Sequence, residues 1–326
     1  MQETATKPKQ RAEPSRSVEK RSEESVVDMS IVLVCWNNKA YLDPCLKSLY
    51  EGGLKSSFDV VVVDNGSTDG SQQMLAEKYP QVKLIQNAGN VGLGKASNQG
   101  IEATNGRYVL LLNNDTLVNG PALDVLVEFL DAHPEAGAAA GKLLNPDGSF
   151  QSGFAPFSTL LEEFLIATHI GELLWAGYPS HGDSNEIKAT GWMSSACLLV
   201  RRTALDTIGL LDEGYFIYGD EADLQYRLNK AGWKVYFLPN SSIVHFGGRS
   251  MDRWKRRKMV YRGKMMFYMK NYGIISTFLL RALFFVMSLL KLLVWCVGYF
   301  VPSRNDQAKK ELRSNLDVMA LCVNLK

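Results

Sequence analysis

Four short apolar runs, at residues 31–34, 60–63, 82–85 and 108–112, each lead into a polar turn. Runs this short suit strands buried on both faces of a parallel sheet. The stretches between them carry helical spacing instead. After the first run, Leu42, Cys45, Leu46 and Leu49 mark one face of a helix over residues 40–51. After the second, Asp69 is placed to cap a helix over residues 71–79. Residues 95–104 supply a third helix, and Pro121 suits the first turn of a fourth that ends at His133. Strand and helix in alternation predict an α/β fold, a Rossmann-like, mostly parallel central sheet with helices on both faces.

Ligands of such sheets collect beyond the carboxyl ends of the strands. Trp36 and Asn37, Asp64, residues 87–94 and Asp115 all stand at those ends, so four polar turns are expected to meet at one crevice. Past residue 135 the pattern loosens. Asn145-Pro146-Asp147-Gly148 reads as a hairpin turn, and residues 197–200, 235–238 and 243–245 as strands. Residues 160–169 form a candidate helix, and residues 221–231 a helix stopped by Gly232.

That last helix opens on Asp220-Glu221-Ala222-Asp223, with Arg227 and His245 downstream. Like charges so close repel, and chains keep such a cluster where a cation, a proton transfer or a helix dipole uses it. Gly89 to Lys95 imitates a phosphate loop, but Ala96 stands where a magnesium-binding hydroxyl is required. Those glycines read first as a turn.

The net charge of +2 excludes a nucleic-acid partner for the whole chain. Five scattered cysteines with no C-x-x-C spacing exclude a zinc ribbon or disulfide scaffold and suit a reducing cytosol. Residues 1–28, polar and without aromatics, read as a disordered tail and not as a secretory signal.

Taken in order, residues 63–70, 90–100 and 111–115, the acidic motif and His245 resemble the family 2 glycosyltransferases of GT-A fold, particularly bacterial rhamnosyltransferase-like members. The resemblance spans about residues 30–248 and sets a catalytic domain at residues 29–248. It implies inverting sugar transfer from a nucleotide-sugar donor, plausibly dTDP-rhamnose, to a glycan or lipid-linked acceptor in cell-surface polysaccharide synthesis. By the same resemblance Asp115 and His245 hold Mn²⁺ or Mg²⁺, and Asp64 reads the nucleotide base. Trp36, Asn37, Asn90, Gly92, Asn98, Asn113 and Asn114 are the remaining donor-site candidates. Glu221 is the favoured base, Asp223 the runner-up and Asp220 the third. A UDP-sugar transferase of the same fold is the near alternative, and an inert nucleotide-binding membrane scaffold the distant one.

Residues 249–326 form a further helical region. Nine Lys or Arg stand against Asp252 in residues 249–270, and an apolar stretch follows over residues 274–301. Within it Thr277, Arg281, Ser288 and Lys291 fall inside about 80° of one another at helical spacing. A single polar stripe predicts a helix lying on the membrane surface, or one whose stripe faces another helix. Flanking basic residues place the region at the cytoplasmic face of the inner membrane. A homo-oligomer is compatible with the same apolar face.

Overall fold

The computed structural model describes residues 26–175, 184–247 and 252–324. Most of the expected tail and the boundary at Gly248 lie outside these residues. Asp28 already belongs to the fold: its carboxylate accepts from Ser57 and pairs with Arg107 at 2.7 Å.

The described residues hold twelve strands, β1 (Met29–Cys35), β2 (Phe58–Asp64), β3 (Lys83–Gln86), β4 (Tyr108–Asn113), β5 (Thr116–Leu117), β6 (Ala136–Leu144), β7 (Phe150–Gln151), β8 (Phe154–Ala155), β9 (Lys188–Thr190), β10 (Trp192–Met193), β11 (Cys197–Arg201) and β12 (Lys234–His245). Eight helices accompany them: α1 (Lys39–Glu51), α2 (Ser71–Lys78), α3 (Leu93–Glu102), α4 (Gly120–Ala132), α5 (Leu160–Thr168), α6 (Ile170–Leu174), α7 (Arg202–Ile208) and α8 (Asp220–Lys230).

Ten strands make one mixed sheet in the order β3-β2-β1-β4-β11-β6-β12-β5, with β7 beside β6 and β9 beside β12. β1, β2, β3 and β4 pair in parallel, as alternation predicts. β11 enters antiparallel between β4 and β6. Successive residues of β1 serve opposite faces. Ile31 and Leu33 pack with α1, α2 and α4, while Val32 packs with α3, α7 and α8. Helices therefore cover both faces.

The expected pair of short strands near the end of the sheet is one strand, β12. Its register shifts between Leu238 and Ser242, where Pro239 removes a ladder donor. The turn at residues 145–148 joins β6 to β7 in an antiparallel hairpin as expected, but the sequence reading did not mark β6 itself as a strand.

Three further helices follow: α9 (Arg253–Asn271), α10 (Gly273–Gly298) and α11 (Asn305–Val323). They share a core in which Tyr268, Leu280, Phe284 and Val318 meet Phe157 and Leu160, and also Ala222 and Tyr226 of α8. An ion pair crosses the junction, with Lys264 held to buried Glu163 of α5 at 2.7 Å, and another joins Arg257 of α9 to Glu311 of α11 at 2.6 Å. The polar stripe of α10 faces this bundle, since Thr277 and Ser288 are buried beside Leu280 and Phe284. Its apolar flank faces outward, with Ile274 72% and Val297 71% exposed.

Candidate active site

β1, β2 and β4 pair in parallel, so their carboxyl ends lie side by side along one edge of the sheet, and the two sides of this candidate site are built differently. On the first side, β2 delivers Asp64 with no exposed surface. Its Oδ2 accepts from the Ser67 amide at 3.0 Å and from Gln72 Nε2 at 2.6 Å. Its Oδ1 is buried and has no protein donor. An acceptor left over in this way suits an N–H of a ligand. Beside it, Asn65 donates to the Gly92 carbonyl at 3.2 Å and accepts from Asn87 at 2.9 Å, while Asn87 and Gln99 exchange a reciprocal amide pair. These amides set the turns. Asn37 takes a positive φ of 50°, a conformation Asn tolerates, and its Oδ1 accepts from Thr68 at 2.7 Å. Trp36, 45% exposed, projects beside it.

The loop that imitates a phosphate site is engaged with protein. Gly92 sits at φ 95°, where a β-carbon would come within 2.8 Å of the Phe216 carbonyl oxygen. That carbonyl accepts the Leu93 amide at 2.7 Å, at the start of α3. Asn90 Oδ1 accepts from the Gly92 amide at 3.0 Å. Asn98 is engaged with protein as well: its amide spans both backbone groups of Leu211, at 2.8 and 3.0 Å. Asn114 is likewise spent, donating to the Val34 carbonyl at 2.7 Å and accepting from Asn38, which ties β4 to β1.

On the second side, β5 and β12 pair so that His245 lies opposite Thr116, and the Phe246 amide donates to the Asp115 carbonyl at 2.9 Å. This register brings His245 Nε2 to 3.3 Å from Asp115 Oδ1 and 3.3 Å from Asn113 Nδ2. Gln151, on β7, accepts from His245 Nδ1 at 2.6 Å. A proton on Nδ1 leaves the Nε2 lone pair facing Asp115. One imidazole and one carboxylate converging in this way fit a divalent cation that takes its other ligands from water and phosphate oxygens. Among the described residues no group of three His, Cys, Asp or Glu gathers as a fuller protein cage.

The acidic motif starts α8, behind a turn in which Tyr218 and Gly219 both take positive φ. Its three acids have distinct surroundings. Asp223 is buried with both oxygens engaged, by Arg227 Nε at 2.8 Å and Asn271 Nδ2 at 3.1 Å. Asp220 is 1% exposed and neither oxygen has a partner. It lines a cavity of about 20 Å³ with Asn113, Ser97, Ser195 and apolar side chains of β1 and β4. Burial, and then the neighbouring Glu221 charge, push its carboxyl well above the usual range. Glu221 is only partly buried. Asn113 thus joins the two sides, touching His245 and lining the cavity of Asp220.

The family model of glycosyl transferase family 2 matches residues 30–209, more than half of the chain. The chain belongs to that family. It is 30% identical over 241 residues to the N-acetylglucosaminyl-diphospho-decaprenol L-rhamnosyltransferase of Mycobacterium tuberculosis, covering 69% of this chain and 78% of that one. It is 26% identical over 244 residues to a putative teichuronic acid biosynthesis glycosyltransferase, TuaG, of Bacillus subtilis, covering 72% and 87%. Among solved structures it resembles the mannosyltransferase PcManGT from Pyrobaculum calidifontis in complex with GDP-Man and Mn²⁺. The TM-score is 0.54 at 14% identity, over 92% of this chain and 88% of that one. The fold is GT-A, and this family 2 glycosyltransferase is rhamnosyltransferase-like.

Several contributors to the candidate site escaped sequence reasoning, Gln151 and Gln225 among them. Gln151 follows the hairpin turn at residues 145–148 by three positions, and nothing local marks it as a partner of His245. Gln225, inside α8, exchanges hydrogen bonds at 2.7 Å with both backbone groups of Met193 and so fastens the acidic helix to β10. A buried glutamine on the apolar side of a helix was the available signal.

Proposed function

We propose that the chain transfers a sugar, with inversion, from a nucleotide-sugar donor to a glycan or lipid-linked acceptor at the cytoplasmic membrane surface. The observation that carries this reading is Asn113, which contacts His245 and lines the cavity of Asp220, and so links the metal-ligand pair to the residue that precedes Glu221.

In the proposed step, an acceptor hydroxyl oxygen forms a bond to the anomeric carbon as the bond to the diphosphate oxygen breaks. Glu221 takes the hydroxyl proton, and the nucleoside diphosphate leaves with the bonding pair. Burial of Asp220 disfavours its charged form, which reduces the like charge at the side of Glu221. Asp223 orients the helix through Arg227 and Asn271. Asp115 and His245 would hold Mn²⁺ or Mg²⁺, whose charge offsets that of the departing diphosphate. Asp64 offers its free acceptor to the base. Uracil and thymine both present an imide N–H, so UDP- and dTDP-sugars each suit this position; the rhamnosyltransferase relative favours rhamnose as the sugar.

Membrane attachment is supported by the outward apolar flank of α10 beside the basic α9. Burying exposed side chains such as Ile274, Ile275 and Phe278 in the headgroup boundary contributes about 1.5–3 kcal/mol each at full burial. A relative that acts on a decaprenol-linked sugar is consistent with that placement.

A panel of nucleotide sugars tested with Mn²⁺ and a polyprenyl-diphosphate-linked acceptor decides the reading. Transfer with an inverted anomeric product by NMR is expected. Retention of configuration, or no donor turned over by folded protein, contradicts it.

A further inference from the structure

The helix after the catalytic sheet reaches the acidic motif directly. Gly263 of α9 lies so close to the preceding turn that a β-carbon would stand 2.2 Å from the Tyr218 carbonyl oxygen. Tyr218 holds φ at 62° and Gly219 at 102°, just before Asp220. A bulky residue keeps such a conformation only where its neighbours enforce it. Here α9 supplies much of that enforcement. The Arg256 guanidinium lies 5.9 Å from the Tyr218 ring centroid, and the Lys270 ammonium 5.3 Å from that of Tyr215. Lys270 also pairs with Asp212, and Met266 fills the space beside Gly214. At the end of the helix, Asn271 Nδ2 holds Asp223 Oδ1 at 3.1 Å. These contacts are spread along most of α9 and fall on the segment 212–223, while Lys264 and Arg257 of the same helix pair with Glu163 and Glu311.

We propose that α9 is a positioning element of the active site. Gly263 lets its backbone close on the Tyr218 carbonyl, Asn271 fixes Asp223, and together they set the direction of Asp220 and Glu221 into the crevice. The C-terminal region is then part of the catalytic apparatus as well as a membrane anchor. The inference rests on the reading of Glu221 as the acceptor-activating base. On the donor side the loop at Gly92 also packs on this segment, through the Phe216 carbonyl, but Asp64 takes its hydrogen bonds from Ser67 and Gln72, outside it. A displaced acidic turn is therefore expected to lower kcat while leaving donor binding in place.

The test uses the full chain with Gly263→Ala, Asn271→Ala and Asn271→Asp. Donor KM, kcat, its pH profile and the calorimetric stoichiometry of nucleoside diphosphate binding are measured for each. Gly263→Ala is expected to bind one nucleotide per chain, keep donor KM within about twofold, and lose at least about tenfold in kcat. Asn271→Ala is expected to lose about threefold. Asn271→Asp adds a negative charge beside the motif, and the acid limb of its kcat profile moves to higher pH. A general loss of structure lowers the binding stoichiometry and leaves that limb in place. Folded Gly263→Ala with wild-type kcat overturns the proposal. Should Gly263→Ala fail to bind nucleotide, the Asn271 variants decide, and wild-type kcat with an unmoved acid limb in both overturns it. Full activity in Glu221→Gln, measured alongside, signals failure of the base assignment instead.

Discussion

Gln151 Oε1 accepts from His245 Nδ1 at 2.6 Å, and this bond orients the opposite ring nitrogen toward Asp115. Gln151 is itself anchored, donating to Asn145 Oδ1 at 2.9 Å and to the His245 carbonyl at 3.2 Å. The imidazole is thus fixed in tautomer and in rotation. Outer partners of this kind typically change metal affinity by about 10–100-fold. Gln151→Leu is expected to weaken Mn²⁺ binding by about that factor in calorimetry, with an unchanged melting temperature in the absence of metal. Unaltered Mn²⁺ affinity contradicts the assignment of His245 as a ligand.

Asp64 offers one buried acceptor without a protein donor. A hydrogen bond to a charged group contributes roughly 1.5–3 kcal/mol, so Asp64→Ala is expected to raise the Kd for the nucleoside diphosphate by about tenfold or more. Direct titration with UDP and dTDP checks this. An unchanged Kd for both removes Asp64 from the donor site.

Asp220 predicts a pH dependence. Its folded pKa lies above the unfolded value of about 3.9, so the native state binds the extra proton. The stability that this proton confers is complete below the unfolded value and is lost as pH rises through the folded one. Asp220→Asn removes the penalty. At pH 7 it is expected to raise the melting temperature by roughly 2–4 °C, a gain that shrinks toward pH 4. Thermal melts across that range measure it, and a destabilised Asp220→Asn at pH 7 contradicts the buried-acid account.

The outward flank of α10 predicts vesicle binding. Phe278→Asp with Val294→Asp places charges on the exposed face without touching the buried Leu280 and Phe284. Flotation with vesicles containing anionic lipid is expected to fall at least about tenfold for this pair, while the soluble fraction stays folded. Undiminished flotation relocates the anchor.

The parallel half of the sheet was readable because its strands are short apolar runs, broken only by Lys83 in the third, that end in polar turns. β6 was not, because Ala136-Gly137-Ala138-Ala139-Ala140-Gly141 lacks the β-branched and aromatic residues that mark strands. Its small residues answer to crowding. A β-carbon at Gly137 would stand 2.7 Å from Trp233 Cβ, and one at Gly141 only 2.3 Å from the Ser241 carbonyl oxygen. Those neighbours come from β12 and the turn before it, about a hundred residues later, so no local pattern reveals them. The same limit applies to the site. Asp115, His245 and the acidic motif were legible as types in an order. The engagement of Asp223 by Asn271, the orphaned state of Asp220 and the fixing of His245 by Gln151 depend on contacts between distant segments. The polar stripe of α10 was visible at helical spacing, but its inward direction was set by α9 and α11.

The central claim is that Glu221 removes the acceptor proton at a site that otherwise binds its donor normally. Glu221→Gln keeps the size and hydrogen-bonding shape of the side chain and loses only its basicity. Single-turnover sugar transfer by this variant, with nucleoside diphosphate binding measured on the same sample, tests the claim most directly. The expected result is a fall of at least about 100-fold in transfer with unchanged nucleotide affinity. Transfer at the wild-type rate contradicts it.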